Sequence, residues 1–269
     1  MQKVCLVAQA TIHQALQKQF QLPAAVAFVS QQGASAREIF CSGVPLSQDV
    51  IVTAGHCLAR WSGIEEDSAH LFVSTPSSET SIPIQRWSLH PNYLPLPKKD
   101  TEDFDLAIVK LREPIPLVTH WSIPRELQTD GSQPKFWFKG FSPVRLKERN
   151  SSTLMDSTST WTEVAKASEL VREGKISVRA VNGQTGACPG DSGAPLWKFT
   201  ESSALLEGMV IQANCEKGDV KVLSFKTYWS WIESSLRKFN SADSFQALML
   251  NNGLRNLFAD ARKVFSDRE

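Results

Sequence analysis

Three short runs carry side chains that could break a bond together: Val52-Thr53-Ala54-Gly55-His56-Cys57, Asp103-Phe104-Asp105-Leu106-Ala107-Ile108-Val109 and Cys188-Pro189-Gly190-Asp191-Ser192-Gly193-Ala194-Pro195-Leu196. A serine hydroxyl is a weak nucleophile at neutral pH and needs a neighbouring base. Imidazole titrates near neutrality, so it can take that proton and return it later. A buried carboxylate holds the imidazole in one tautomer and stabilises its cation. The expected roles are base for His56, orienting acid for Asp105 and nucleophile for Ser192. The backbone N–H groups of Gly190 and Ser192 could bind the oxyanion, and glycine at 190 permits the unusual backbone this needs. Each run alone is ordinary, since Asp-Ser-Gly favours turns. His13, His70, His90 and His120 read as structural. The specific signal is all three runs in the order His, Asp, Ser.

Many short strands must position these groups. Apolar or β-branched stretches at 25–29, 50–53, 71–74, 106–110, 136–138 and 176–181 alternate with Pro, Gly and Ser clusters. That texture predicts an all-β sandwich or barrel. Residues 142–168 are polar and read mostly as an exposed loop, with a formal glycosylation sequon at Asn150-Ser151-Ser152. Trp231, Ile232, Ser235, Leu236 and Phe239 share one helical face. Apolar residues from Phe245 to Phe265 predict a further helical tail packed on the body. Residues 1–22 read as a leader or processed segment, 23–239 as the main domain (halves at about 23–125 and 126–239) and 240–269 as the extension.

Composition excludes whole classes. Lys+Arg 29 against Asp+Glu 28 leaves a net charge of +1 over 269 residues, which speaks against nucleic-acid and polybasic membrane binding. No apolar run approaches a membrane span. The glutamates and aspartate at Glu65-Glu66-Asp67 read as a solvated acidic turn rather than a calcium site, and no metal or organic cofactor is implied. Five cysteines stand at Cys5, Cys41, Cys57, Cys188 and Cys215, with no C-x-x-C among them. The later four form two local groups, open at this point to disulfides or to buried free thiols.

At the three runs the sequence resembles the chymotrypsin-like serine proteases, the trypsin family, over about residues 23–239. Phe40-Cys41-Ser42-Gly43 before the histidine run, Leu89-His90-Pro91-Asn92-Tyr93 before the aspartate run and Trp231-Ile232 near the end add to the likeness. The resemblance implies two six-stranded antiparallel β-barrels with the site in the cleft between them, a C-terminal helix, and disulfides Cys41 to Cys57 and Cys188 to Cys215. It also implies a secreted or periplasmic location. The implied partner is a protein or peptide substrate, with a proteinaceous inhibitor as a further one, and the chain is expected to be a monomer. Asp103 rivals Asp105, but the register of the following strand favours Asp105.

The sequence departs from that family at three places. No Ile/Val-Val-Gly-Gly tetrapeptide is present to supply the freed ammonium that would pair with Asp191. Counting back from Pro23 puts an expected terminus near Thr11 or Ile12, which suits cleavage at Ala8-Gln9-Ala10. Where the family commonly has Ser-Trp-Gly, this chain has Ile211, Gln212 and Ala213, and Ile211 cannot donate to Asp105. The position six residues before Ser192 is Gly186, not an acid, and Ala213 would narrow the pocket mouth. A small or medium apolar preference follows, unless Asp219 reaches the pocket and restores a basic one. The leading expectation is a serine endopeptidase. The alternative is a binding module on the same fold, and an acyl hydrolase lacks its G-x-S-x-G turn.

Overall fold

The computed structural model describes residues 25–32, 36–59, 71–75, 78–93, 101–115, 135–142, 160–170, 174–181, 186–199 and 204–239. The leader, the tail after 239, Cys5, the sequon and the acidic turn at 65–67 lie outside them.

Strands β1 (Val26–Gln32), β2 (Ala36–Pro45), β3 (Val50–Thr53), β4 (Leu71–Thr75), β5 (Ser78–Leu89) and β6 (Ala107–Leu111) close a barrel in the order β1-β2-β3-β6-β5-β4. Strands β7 (Lys135–Gly140), β8 (Thr160–Leu170), β9 (Lys175–Ala180), β10 (Pro195–Phe199), β11 (Ala204–Asn214) and β12 (Asp219–Ser224) close a second as β10-β11-β12-β9-β8-β7. Every pairing is antiparallel. The fold is the all-β double barrel that the sequence implied.

The alternation rule explains the second barrel. In β9 and β12 the residues Ile176, Val178, Val220 and Val222 point inward and pack with Phe136, Phe138 and Leu196. The first barrel differs, because all four residues of β3 are buried: one face fills the barrel, the other is covered. Part of that cover comes from the other half of the chain. Helix α2 (Phe225–Lys238) turns Ile232 and Leu236 into the same cluster as Val52 and Ile108, and Met209 and Ile211 of β11 join them. The helix at the end of the second barrel thus ties the two barrels together.

One stretch corrects the sequence reading. Residues 160–168 belong to strand β8, not to an exposed loop. Its Trp161-Thr162-Glu163-Val164-Ala165-Lys166 run has no strong apolar signal of its own. Tertiary pairing decides it: Phe136 sits opposite Val164, and Val164 opposite Ala180, so this strand is what closes the barrel.

Candidate active site

The site starts at adjacent strand ends. Thr53 of β3 pairs with Ala107 of β6. His56 follows Thr53 by three residues, on the short helix α1 (Gly55–Ala59), and Asp105 precedes Ala107 by two. The register therefore brings them face to face. The Asp105 carboxylate takes two bonds from one residue: the His56 backbone N–H donates to Oδ1 at 2.7 Å, and His56 Nδ1 to Oδ2 at 2.7 Å. A carboxylate only accepts, so Nδ1 carries a proton, and in the neutral imidazole the lone pair then lies on Nε2. Asp105 is buried while the His56 side chain is 41% exposed, so the ring is held from behind and open in front.

Close approach favours glycine at 55. A Cβ there would lie 3.1 Å from Asp105 Oδ1, 3.0 Å from the Leu106 nitrogen and 3.3 Å from the Tyr93 ring. Burial, with the Asp105 charge second, raises the Tyr93 pKa to about 12, so its phenol stays protonated beside the carboxylate.

Asp103, the rival acid, faces elsewhere. Its carboxylate pairs with Lys175 of β9, and its carbonyl accepts from the Tyr228 hydroxyl of α2. His90 is buried, with its ring centroid 4.9 Å from Phe104 and 5.0 Å from Trp231. Its Nδ1 accepts from the Asn92 N–H, and burial lowers its pKa. These contacts fix the 3-10 turn (Thr101–Phe104) that delivers Asp105.

Ser192 lies on the other side, in the turn before β10. Its carbonyl accepts from the Ser42 N–H at 2.7 Å, and the Cys57 sulfur lies 4.0 Å from the same oxygen. The serine turn is thereby pinned to the segment that carries His56. All four carbonyls of residues 189–192 are engaged: Pro189 by Ser142 Oγ (2.9 Å), Gly190 by Ser42 Oγ (2.8 Å), Asp191 by the Ala194 N–H (2.9 Å) and Ser192 by Ser42. The N–H groups of Gly190 and Ser192 donate to none of the described residues. Gly190 has φ of 100° and Gly193 of 84°, a region that only glycine enters cheaply. Asp191 is fully buried, and its Oδ2 accepts from the Cys188 N–H at 2.8 Å. Its expected ammonium partner would come from the leader, outside the described residues.

The disulfides join Cys41 to Cys57 and Cys188 to Cys215. Cys41, His56 and Cys57 bring ligand-type atoms within 4.8 Å of one another, but both sulfurs are spent in the disulfide, so the group is no metal site.

The three expected pocket residues lie about one turn: Ala213 and Asp219 stand on the paired strands β11 and β12, and Gly186 meets Gly218 beside Asp219. Gly186 stacks on the turn after Cys215: its N–H donates to the Cys215 carbonyl, and a Cβ on Gly186 would lie 2.7 Å from Gly218 Cα. Ala213 is exposed and paired with Val220. Asp219 is engaged elsewhere, its Oδ1 accepting from Arg179 Nε at 2.6 Å in a pair exposed on both sides. Side chains alternate along β12, so Val220 points into the barrel and Asp219 away from it. Ile211 is buried against the first barrel, as its type demands. Sequence reasoning missed Ser42 and Ser142. Nothing local marks them, because their carbonyl partners lie 148 and 47 residues away.

A family model, that of trypsin, matches residues 12–232. The chain belongs to the trypsin family. Human kallikrein-10 is a relative, 23% identical over 207 residues that cover 73% of this chain and 74% of the relative. At family level the protein is a serine protease, and its two disulfides suit an extracytoplasmic setting. Proteins are the substrates that this family implies, and no described helix is long and apolar enough to cross a membrane.

Proposed function

We propose that the protein is a serine endopeptidase that uses Ser192, His56 and Asp105 as a triad. The observation that carries this is the turn at 189–192, whose four carbonyls are tied back while the Gly190 and Ser192 N–H groups stay unspent among the described residues. A fold kept only for binding has no need of two such donors. In the proposed reaction Ser192 Oγ attacks the peptide carbonyl while His56 Nε2 takes its proton. The carbonyl π pair moves to oxygen and is held by the two N–H groups, each worth about 3 kcal/mol of barrier in comparable sites. The C–N bond then breaks and the imidazolium returns the proton to the leaving amine. Water repeats the steps on the acyl-enzyme and frees Ser192. Asp105 holds the Nδ1–H throughout and stabilises the imidazolium.

Gly186 in place of an acid six residues before Ser192 supports a preference for small or medium apolar residues before the cut bond. The working unit is proposed as residues 23–239, with Asp191 as a candidate ammonium partner. The proposed setting is secreted or periplasmic, with the chain acting as a monomer. Ile211, whose side chain cannot donate to Asp105, favours a second reading, a binding module that grips protein without cleaving it.

Intact-mass analysis after exposure to a fluorophosphonate probe separates the two. The expected result is one adduct on Ser192, absent from His56→Ala. A folded chain that stays unlabelled overturns the peptidase and leaves the binding module.

A further inference from the structure

We infer that the hydroxyls of Ser142 and Ser42 are positioning groups that aim the Gly190 N–H into the cleft; this rests on the proposed function. The Pro189–Gly190 peptide is planar and trans, so its carbonyl and its N–H point in opposite directions. Ser142 Oγ donates to the Pro189 carbonyl at 2.9 Å. Fixing that oxygen fixes the Gly190 N–H on the far side of the same plane. The carbonyl of Gly190 is held in turn by Ser42 Oγ at 2.8 Å. Both peptides flanking the Gly190 α-carbon are therefore clamped.

The direction of the Ser42 bond is also fixed. The Phe141 N–H donates to Ser42 Oγ at 3.0 Å, which leaves the hydroxyl proton for Gly190. Ser42 and Ser142 are buried, with relative exposures of 0% and 2%, so water does not compete for these bonds. Adjacent residues, Phe141 and Ser142, thus support two neighbouring peptides of the serine turn, one through Ser42 and one directly.

A clamp matters here because of the glycine. Gly190 at φ of 100° has other backbone conformations within easy reach. A flipped Pro189–Gly190 peptide would put a carbonyl oxygen where the oxyanion must sit, and like partial charges would repel. Pro189 contributes by locking its own φ. The two serines bias the turn towards its donating state.

The test uses the full chain, labelled with 15N, as wild type, Ser142→Ala, Ser142→Thr, Ser42→Ala and the control Ser47→Ala, whose hydroxyl bonds Asp49 in a distant turn. Two readouts are taken: the Gly190 amide resonance without substrate, and kcat and KM on a peptide ester. For Ser142→Ala we expect a shifted or broadened Gly190 amide and a kcat lower by about 10-fold to 100-fold, with KM within about 3-fold, because a mis-aimed donor costs less than a deleted one. Ser142→Thr should restore both, and Ser47→Ala should change neither. Should Ser42→Ala not fold, Ser142→Ala decides alone. A folded Ser142→Ala with an unmoved Gly190 amide overturns the inference, as does an unchanged kcat. If wild type neither turns over ester nor accepts fluorophosphonate, the peptidase reading fails, and the amide shift still decides whether the hydroxyls hold the peptide.

Discussion

The two halves of the site are built by different means. On the first barrel, His56 and Asp105 hang from the ends of paired strands, three residues past Thr53 and two before Ala107. Their geometry follows from a β register, and the residues between are few. On the second barrel, the Ser192 turn is shaped by hydroxyls and backbone groups from segments far away in sequence, and a short turn brings Gly218 against Gly186. A register is hard to change without unmaking the barrel. A turn can shorten by a residue and leave both barrels intact. The proposed base and its orienting acid therefore sit on the constrained half, and the proposed nucleophile sits on the half whose turns are freer to drift.

The largest effect should come from the constrained half. Asp105→Asn replaces an acceptor by an amide that can donate, which favours the wrong imidazole tautomer, and kcat should fall by about 10⁴-fold with the fold intact. Asp103→Asn removes the ion pair with Lys175 instead, and its kcat should stay within a few-fold. Steady-state assay of both variants on one peptide substrate decides the assignment. Equal losses, or a larger loss at Asp103, would break the contrast between the two acids.

The next effects are on stability, and they compare the joint between the halves with the turn that packs on Gly186. At Gly193 a Cβ would lie 2.1 Å from the Ser42 carbonyl oxygen and 2.4 Å from Thr53 Oγ1, with φ of 84° besides. Both neighbours are fixed, since Thr53 Oγ1 donates to that same carbonyl. Gly193→Ala should cost about 3 kcal/mol or more, from overpacking and backbone strain together. At Gly186 the added Cβ meets Gly218 at 2.7 Å, in a turn with exposed residues on its rim. Gly186→Ala should cost less, about 1–2 kcal/mol, because that turn can move. Urea unfolding ranks the two, and the reverse order would mean that the turn packed on Gly186 is the stiffer element.

How much of this was legible in the sequence follows the same division. The histidine and aspartate runs are legible because a register needs particular residues at fixed short offsets, Gly55 beside Asp105 and apolar 106–109 for the strand; the serine run is legible because its turn needs glycine at the positive φ of 190 and 193. The choice of Asp105 over Asp103 came from strand register, and the structure sets Asp105 on His56. Strand β8 was not readable, since its pairing partners rather than its own residues make it a strand. Ser42 and Ser142 were invisible for a related reason: a serine that bonds a carbonyl 148 residues away leaves no local pattern. The Asp219–Arg179 pair is not legible either, because it follows from the pairing of β12 with β9 that sets the two residues opposite each other.

The smallest effect separates the barrels by charge. In the first barrel Lys110 of β6 pairs with Asp49. In the second, Lys139 of β7 is only 3% exposed, and burial lowers its pKa from 10.5 to about 8. Below pH 8 the folded and unfolded chains both carry this proton, and the folded state bears a constant cost. Between pH 8 and 10.5 the unfolded chain keeps the proton and the folded chain has lost it. Stability from this group therefore rises with pH across that window, because the unfolded state binds more protons. A shift of this size corresponds to about 3 kcal/mol at most, and relaxation around the amine should leave about 1 kcal/mol. Urea unfolding of wild type and Lys139→Met at pH 7, 8, 9 and 10 checks it. The difference in stability should close towards, or reverse in favour of, wild type as pH rises. A constant difference across the four pH values would mean that Lys139 stays charged within the barrel wall.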